Sequence, residues 1–253
     1  MEKTQEQIQQ NIALSYLRRY INLSMSKIPR ITPESIGLGV LLALVGGFLD
    51  AYTYVSRDGV FATSQTGNLV LLGVETAQGQ WQQGLKHIPP IVAFVIGVVV
   101  AEGLKHPHIT RTFPFPARSV LFLESLVLMF VGTLPLDVPD MIVTVTIAFA
   151  SSVQISSFRT LVRWQFNSAM VTGNLRTAAE AAYTALVLHD RQSVLQFFDF
   201  TIIIVSFLCG AFIGTLSTLH FGIKAIWISS AILLCAMLVL NANPKTLLTK
   251  SCS

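Results

Sequence analysis

Long apolar runs constrain this chain more than any other feature. Six stretches approach the roughly 20 apolar residues that a helix needs to cross a bilayer core. They are Ile36 to Val55, Pro89 to Gly103, Ser119 to Leu134, Asp140 to Phe158, Phe198 to Leu219 and Ile223 to Leu240. Only 12% of the residues are charged and the mean hydropathy is +0.62, values typical of integral membrane proteins. The sequence therefore predicts an all-α membrane protein, because helices satisfy their own backbone groups in lipid.

Two polar segments interrupt the apolar pattern, and both contain the tripeptide Thr-Gly-Asn. The tripeptide stands at Thr66, Gly67 and Asn68, and again at Thr172, Gly173 and Asn174. Its surroundings are too polar to face lipid, because an unpaired polar group in hydrocarbon costs several kcal/mol. Each segment is therefore either shielded by protein as it crosses the membrane or re-entrant, turning back on the side from which it came.

The distribution of Lys and Arg favours segments that turn back. With six crossings and both termini in the cytoplasm, the cytoplasmic side holds 14 of the 17 basic residues. With eight crossings the cytoplasmic share falls to 10 of the 17. Basic residues collect on the cytoplasmic side of membrane proteins, so six crossings are predicted. The net charge of +4 reflects this topology, and no basic face suggests a nucleic-acid partner.

The two tripeptides occupy matching places in two halves of the chain. They begin at residues 66 and 172, and at the same spacing Arg57 corresponds to Arg163. A spanning helix precedes each tripeptide and two follow it, which predicts a duplication over residues 36–135 and 139–241. Three crossings is an odd number, so the second repeat enters from the opposite side. The fold class predicted is thus six transmembrane helices in two inverted three-helix repeats, each with a re-entrant or broken-helix segment.

The two ends of the chain lie outside these repeats. Residues 1–35 include Ile8, Ile12 and Tyr16 at helical spacing, which predicts an amphipathic helix on the cytoplasmic face of the membrane. A partly ordered cytoplasmic tail is the alternative interpretation. Residues 242–253 are predicted to form a cytoplasmic tail.

Inverted repeats are typical of transporters, in which broken helices meet near the midplane around a solute site. The candidate substrate-binding residues are Thr66, Gly67, Asn68, Thr172, Gly173, Asn174, Asp50, Gln65 and Gln154. Arg57 and Arg163 are candidate charge partners, and they favour an anionic group on a small polar solute. The alternative is structural: the tripeptides cap two short helices and bind no ligand.

Other polar residues leave fewer hypotheses. Asp50 is a candidate proton or cation handle, because ionisable groups at membrane depth tend to mark such paths. Structurally it either pairs with Arg57 or caps the polar segment that follows, while Glu124 is predicted to reach the membrane interface. Gly210 and Gly214 form a small-xxx-small pattern that serves packing within one chain or in a homo-oligomer. No catalytic, cofactor or metal motif occurs in the sequence, so an enzyme is not predicted.

The stretch GGFLDAYTYVSRDGVFATSQTGNLVLLG, Gly46 to Gly73, resembles the signature of the YoaK family of small bacterial multi-spanning membrane proteins. The shared elements are Gly47, Asp50, Ala51, Gly59, Phe61, the first tripeptide, Leu72 and Gly73. Gln154 and Val171 to Asn174 resemble the second repeat of that family, although SFRTLVRWQF departs from the Gly-containing turn expected there. The resemblance implies a protein of the bacterial cytoplasmic membrane, and because the family has no known function it implies no substrate.

Two functions remain open from the sequence. The first is a small transporter or channel-like protein for a small polar or ionic solute, with its site between the repeats. The second is a membrane scaffold that binds a partner and transports nothing. They differ in one expectation: a scaffold tolerates loss of the Asn68 and Asn174 side chains and fails when Ile8 to Ile21 are removed.

Overall fold

The computed structural model describes residues 35–106, 116–135, 137–158, 160–161, 164–165, 168 and 171–241. The predicted amphipathic segment, the C-terminal tail and Arg163 lie outside these residues. Nearly all of the described part is helical. Besides helices and the loops that connect them, it contains a small antiparallel hairpin in which β1 (Thr160–Leu161) pairs with β2 (Trp164–Gln165). The prediction of a helical fold is thus confirmed for the described part of the chain.

Nine α-helices lie in the described part. They are α1 (Ile36–Ser56), α2 (Gln65–Ala77), α3 (Trp81–Leu85), α4 (Ile88–Leu104), α5 (Pro116–Val131), α6 (Asp140–Ser157), α7 (Val171–Val187), α8 (Arg191–Phe221) and α9 (Ile226–Asn241). The tripeptides lie in the first turns of α2 and α7. The short α3, which the apolar pattern does not predict, connects α2 to α4.

Local signals fix several helix ends. The Ser35 hydroxyl accepts a hydrogen bond of 3.3 Å from the Leu38 N–H and caps α1. Asp190 caps α8 and accepts from the Ser193 N–H at 2.8 Å, and the bonds from Ser193 hold the pKa of Asp190 below its usual value. α8 therefore begins seven residues before the apolar run at Phe198. It ends at Gly222, where a φ of 59° requires glycine.

Four stretches in the described part are long and apolar enough to cross a membrane. They are Ile36–Ser56, Trp81–Leu104, Asp140–Ser157 and Arg191–Leu238. The last contains 48 residues and runs through α8, the 3₁₀ turn Gly222–Ala225 and most of α9. α5 is apolar and has 16 residues. The protein thus has several membrane-spanning helices, while the number six stays a prediction.

Two helix pairs form the centre of the bundle: α1 packs along α8, and α4 packs along α6. Further pairs are α5 with α9, α5 with α6, α1 with α9, α7 with α8, and α2 with α3 and α4. A Cβ atom on Gly210 would collide with the backbone of Leu44, and one on Gly47 with the carbonyl of Phe207. The backbones of α1 and α8 are therefore in contact, which small residues permit. Gly210 and Gly214 thus pack within the chain.

The apolar core consists of two clusters that share α1. The larger contains Leu42 and Phe48 of α1 with residues of α5, α6 and α9. The smaller contains Ala43 with Ala178 of α7 and Phe200 of α8. Helix α1 consequently lies between the two parts of the structure that carry the polar segments.

Candidate functional site

Asp50 holds the loop that leads to the first tripeptide, the first loop (residues 57–64). Its side chain is buried in α1, and one carboxylate oxygen accepts from the N–H groups of Thr63 at 2.7 Å and Ser64 at 3.2 Å. The other oxygen accepts from the Thr63 hydroxyl at 2.8 Å and from the Ser64 hydroxyl. These bonds place an acidic group at the start of α2, where the helix dipole favours it. Of the two structural roles predicted for Asp50, the structure has the cap.

Asn68 fastens the first loop to α2. Its side chain is fully buried, accepts from the Phe61 N–H at 2.9 Å and donates to the Phe61 carbonyl at 2.7 Å. It also donates to Gln65 Oε1 at 2.9 Å, while Gln65 Nε2 donates to the Ala62 carbonyl at 2.9 Å. Asn68 and Gln65 therefore satisfy backbone groups of the loop, as buried polar groups require.

Thr66 and Gly67 lie on the outer side of α2. They line a pocket of about 370 Å³ whose other walls are Tyr54, Phe61, Val70 and Leu71. The Phe61 ring lies over Gly67, so a Cβ atom there would meet the ring edge at 2.8 Å. The residues of the first tripeptide are thus divided, with Asn68 facing inward and Thr66 and Gly67 facing a mostly apolar pocket.

His87 and Glu75 extend the network, and neither was predicted from the sequence. His87 is fully buried at the start of α4, with Nδ1 3.2 Å from Asn68 Oδ1 and Nε2 3.1 Å from Glu75 Oε2. Asn68 and Glu75 are seven residues apart in α2 and so lie on one face, two turns apart. That spacing was the available signal, but nothing in the sequence placed His87 beside this face.

The second tripeptide lies in the first turn of α7. Asn174 is buried, in line with the buried Ala178 and Ala181, whereas Thr172 is exposed and Gly173 has open space around its Cα. The asparagine thus faces inward in both tripeptides. The segment before α7 is the second loop (residues 158–170), of which the structure describes residues 158, 160–161, 164–165 and 168.

Both loops reach α1 within one turn. Asp50 binds Thr63 and Ser64 of the first loop, and the carbonyl oxygen of Ser168 in the second loop lies 3.7 Å from where a Cβ atom on Gly46 would stand. Gly46 and Asp50 are four residues apart, about 6 Å along a helix. The structure therefore brings the loops before the two tripeptides to neighbouring places on α1.

Arg57 links two helices at one end of the bundle. Its buried guanidinium donates to Asp140 Oδ1 at 2.9 Å and to the Tyr52 hydroxyl at 3.4 Å, and Tyr52 donates to the Ile223 carbonyl at 3.1 Å. Burial alone lowers the pKa of Arg57, but the bonds to Asp140 and Tyr52 raise it overall. Arg57 therefore stays charged and joins the end of α1 to the start of α6.

Glu124 and Gln154 carry polar atoms that the fold leaves unsatisfied. Both side chains are buried, and in the described part Glu124 Oε2 and Gln154 Nε2 have no hydrogen-bond partner. Glu124 Oε1 accepts from the Ser151 hydroxyl at 3.2 Å, and Ser151 lies one turn before Gln154 on α6. Glu124 thus lies inside the bundle and not at the interface, which corrects its predicted position.

A bundle of long apolar helices with buried polar side chains defines a multi-helical membrane protein. Residues 38–239 match the family described as a Protein of unknown function (DUF1275), so the chain belongs to that family. It is similar to the UPF0700 transmembrane protein YoaK of Bacillus subtilis (strain 168), with 25% identity over 143 residues. The aligned part is 55% of this chain and 64% of that protein, less than two thirds of its length. No solved structure matches the chain. The resemblance to the YoaK family is confirmed.

Proposed function

We propose that the protein is a small transporter or channel-like protein for a small polar or ionic solute. Its site lies between two inverted three-helix repeats. The observation that carries this proposal is the meeting of both loops on α1, at Gly46 and Asp50. Transporters of this architecture build their sites where broken helices from both repeats meet near the bilayer midplane. Gly46 is the central residue of the 21-residue α1, so the loops meet where such a site is expected.

An ion pair supports a first polar segment that turns back. Asp58 follows α1, Lys86 precedes α4, and their side chains are 3.2 Å apart. A segment whose two ends lie together leaves the membrane on the side from which it entered. Helix α2 therefore adds no crossing.

Length supports two crossings in the last apolar stretch. As one helix, its 48 residues would measure about 72 Å, more than twice a bilayer core of about 30 Å. The positive φ of Gly222 divides it into α8 and α9. With α1, α4, α5 and α6, these two helices give six crossings.

The packing of the helices supports the inversion. Exchanging the repeats replaces α1 with α6, α2 with α7, α4 with α8 and α5 with α9. Under this exchange the pair α1 with α8 becomes α6 with α4, and α1 with α9 becomes α6 with α5. The pair α7 with α8 becomes α2 with α4, and α5 with α9 is unchanged. Every one of these pairs is in contact, as a pseudo-two-fold axis requires.

The proposed orientation follows from the basic residues. Six crossings with both termini in the cytoplasm keep 14 of the 17 Lys and Arg residues on the cytoplasmic side. The proposed location is the bacterial cytoplasmic membrane. Lipid is then the surrounding partner.

The candidate solute-binding groups combine acceptors and donors. The carboxyl oxygen Oε2 of Glu124 and the amide nitrogen Nε2 of Gln154 are buried and have no partner in the described part of the bundle. Ala62 of the first loop belongs to the same core cluster as Val153, the neighbour of Gln154. Arg57 is paired with Asp140, although its Nε has no partner in the described part, and Arg163 is the other candidate charge partner for an anionic solute. No reactive constellation is assigned, and we propose that the protein is not an enzyme.

Side-specific thiol labelling in intact cells tests the six crossings. The native cysteines are replaced, and single cysteines are placed at Gln78, Pro107 and Val138. We expect reagent outside the cell to label positions 78 and 138 and not position 107. Labelling of position 107 with protection of positions 78 and 138 would mean that each repeat has an even number of crossings and that the repeats are not inverted.

Transport is tested with purified protein in liposomes on a solid-supported membrane. Currents are recorded on addition of amino acids, small carboxylates and alkali cations, with empty liposomes as the blank. We expect a response from one class and its loss in Gln154→Leu, which removes an amide whose nitrogen the fold does not use. Gln82→Leu changes an exposed amide and is the matched control.

A non-transporting scaffold remains the second candidate. It gains support if no class responds, or if Gln154→Leu responds like the parent protein. A scaffold also predicts that partner capture from cells is lost on removal of residues 1–35 and kept in Asn68→Ala and Asn174→Ala variants. The transporter predicts that the two asparagine variants lose the solute response.

A further inference from the structure

The orientation of the Asn68 amide is fixed by backbone groups of the first loop. The Phe61 N–H needs an acceptor and the Phe61 carbonyl needs a donor, and Asn68 supplies Oδ1 to the first at 2.9 Å and Nδ2 to the second at 2.7 Å. In a reversed amide, Nδ2 would face the Phe61 N–H, which is also a donor, and Oδ1 would face the Phe61 carbonyl, which is also an acceptor. Oδ1 is therefore the atom that faces His87 Nδ1.

This orientation determines where the His87 ring carries its protons. Because Asn68 Oδ1 only accepts, a hydrogen bond across the 3.2 Å contact requires Nδ1 to be the donor. Nε2 of the same ring lies 3.1 Å from Glu75 Oε2. A neutral ring with its proton on Nδ1 has a lone pair on Nε2, which cannot bond to a carboxylate. For both contacts of the ring to be hydrogen bonds, one further proton has to lie between Nε2 and Oε2.

We propose that His87 and Glu75 form a proton-binding site, and that the proton held there is the ion that couples to solute movement. The proton lies either on Nε2, giving an imidazolium and a carboxylate, or on Oε2, giving a neutral ring and a carboxylic acid. Either arrangement has no net charge, which suits a fully buried ring. The coupling part rests on the proposed transport function.

The other charged groups named around His87 are paired with one another, so the proton is assigned to His87 and Glu75. Helix α2 contributes Glu75, and the residues of α3 contribute no titratable group. Lys86, beside His87, is paired with Asp58 of the first loop at 3.2 Å. On the side of α6, Asp140 is paired with Arg57. Glu75 is 19% exposed and the ring is fully buried, so within the described part the pair reaches the protein surface through Glu75.

Release of the proton changes the contact with the first tripeptide. The remaining ring proton is then drawn to Nε2, where it donates to the ionised Glu75. Nδ1 becomes an acceptor facing Asn68 Oδ1, and that hydrogen bond is lost. Because Asn68 holds the first loop against α2, proton release loosens the segment that the proposed solute site contains. This link between a proton and a binding segment is what coupled transport requires.

Nitrogen-15 NMR of histidine-labelled protein in lipid bilayers tests the site without any transport. The His87 signals are identified by their absence in His87→Gln, and spectra are recorded from about pH 5 to about pH 9. We expect Nδ1 to carry a proton at the acid end and to lose it at the alkaline end. A ring protonated on Nε2 alone over the whole range would overturn the proposal.

Glu75→Gln separates the proton from the hydrogen bond. The amide of the new side chain donates to Nε2 and keeps the proton on Nδ1, so we expect the bond to Asn68 to persist at every pH. Glu180→Gln removes an exposed acid from the helix that carries the second tripeptide and is the matched control, expected to titrate like the parent protein. A parent-like Nδ1 titration in Glu75→Gln would contradict the assignment.

Coupling is tested in liposomes with the solute class that gives a current. For one proton per solute, a gradient of about one pH unit corresponds to about tenfold accumulation. We expect the gradient to drive accumulation in the parent protein and in Glu180→Gln, and to drive none in Glu75→Gln. Equal accumulation with and without the gradient in the parent protein would overturn coupling. The NMR experiment needs no transport, so failure of the proposed function and failure of the proton site are distinguishable.

Discussion

Ser125 on α5 and Ser230 on α9 bind each other twice in the same way. The Ser125 hydroxyl donates to the Ser230 carbonyl at 3.2 Å, and the Ser230 hydroxyl donates to the Ser125 carbonyl at 2.9 Å. Reciprocal contacts of this kind arise at a two-fold axis. The two residues are 105 positions apart, one less than the spacing of the tripeptides. The pair therefore lies where the axis of the proposed inverted repeat is expected.

The two hydroxyl oxygens also lie 2.9 Å from each other, and this direct contact between the side chains predicts a non-additive pair of mutations. We expect Ser125→Ala and Ser230→Ala each to lower the free energy of unfolding by about 1 kcal/mol, because each removes a buried hydrogen bond. The double variant should cost less than the sum by about 0.5 kcal/mol or more. Unfolding by SDS in mixed micelles measures this. Ser206→Ala, whose hydroxyl bonds within its own helix, is the control and should add independently to either variant. Strict additivity of the two serines would contradict direct coupling.

The contact of α1 with α8 predicts opposite effects for the same change at two glycines. Gly210→Ala places a methyl group against the Leu44 backbone and should destabilise the protein by about 1–3 kcal/mol. Gly173→Ala enters open space in the first turn of α7, where alanine is the better helix former, and should be neutral or stabilising by up to about 1 kcal/mol. Thermal unfolding of both purified variants tests the difference. Equal stability would mean that the two helices separate without cost.

Much of the helical framework could be predicted, because each crossing depends on a local property of the chain. A run such as Ile36 to Val55 must be helical in lipid whatever surrounds it. Polarity predicted a shielded position for both whole tripeptides, but only Asn68 and Asn174 are buried, while Thr66 and Thr172 are exposed. Helix ends that lie beyond an apolar run were harder to predict. Helix α8 begins at Arg191 because Asp190 caps it there, although the apolar run begins only at Phe198.

Contacts between distant residues were beyond prediction from the sequence. Asp50 and Arg57 are close in the sequence and opposite in charge, yet Asp50 binds the first loop and Arg57 binds Asp140. The sequence predicted an interfacial position for Glu124 because the depth of its side chain depends on the tilt and packing of α5, which a sequence pattern does not show. Periodicity contains no information about which helices become neighbours.

The Arg57 and Asp140 pair predicts an asymmetric response to mutation. Arg57 is 2% exposed and Asp140 is 45% exposed. Asp140→Asn leaves a buried guanidinium without its counter-charge and should cost about 3 kcal/mol or more. Arg57→Met leaves a half-exposed carboxylate that water can solvate, and should cost about 1 kcal/mol. SDS unfolding of the two variants tests this order, and the reverse order would mean that water reaches Arg57.

For stability, we expect the hydrogen-bonding geometry of the Asp50 side chain to matter more than its negative charge. In Asp50→Asn the new amide can donate to the Thr63 and Ser64 hydroxyls, which reverse their roles, while its oxygen keeps both backbone N–H groups. We expect a loss of about 1 kcal/mol or less. Asp50→Leu leaves the two N–H groups without an acceptor and should cost about 3 kcal/mol or more.

The same pair of variants separates the functional roles of Asp50. If its charge contributes to a cation or proton path, Asp50→Asn should fold normally and lose at least about tenfold in liposome current, since ionisable groups at membrane depth tend to mark such paths. A folded Asp50→Asn with parent-like current would assign Asp50 to the cap alone.

Glu124 predicts a mutation that preserves the fold and removes function. Glu124→Gln keeps an oxygen for the Ser151 hydroxyl and replaces a carboxyl group that has one unsatisfied oxygen. Removing a buried ionisable group of this kind should leave stability unchanged or raise it by about 1 kcal/mol. The solute current should fall at least about tenfold, because the carboxyl group of the proposed site is lost. Ser229→Ala, a buried change in α9 whose hydroxyl bonds within its own helix, is the control for the current. A destabilised Glu124→Gln would show that the carboxylate is satisfied by the fold, and parent-like current in a stable variant would remove Glu124 from the site.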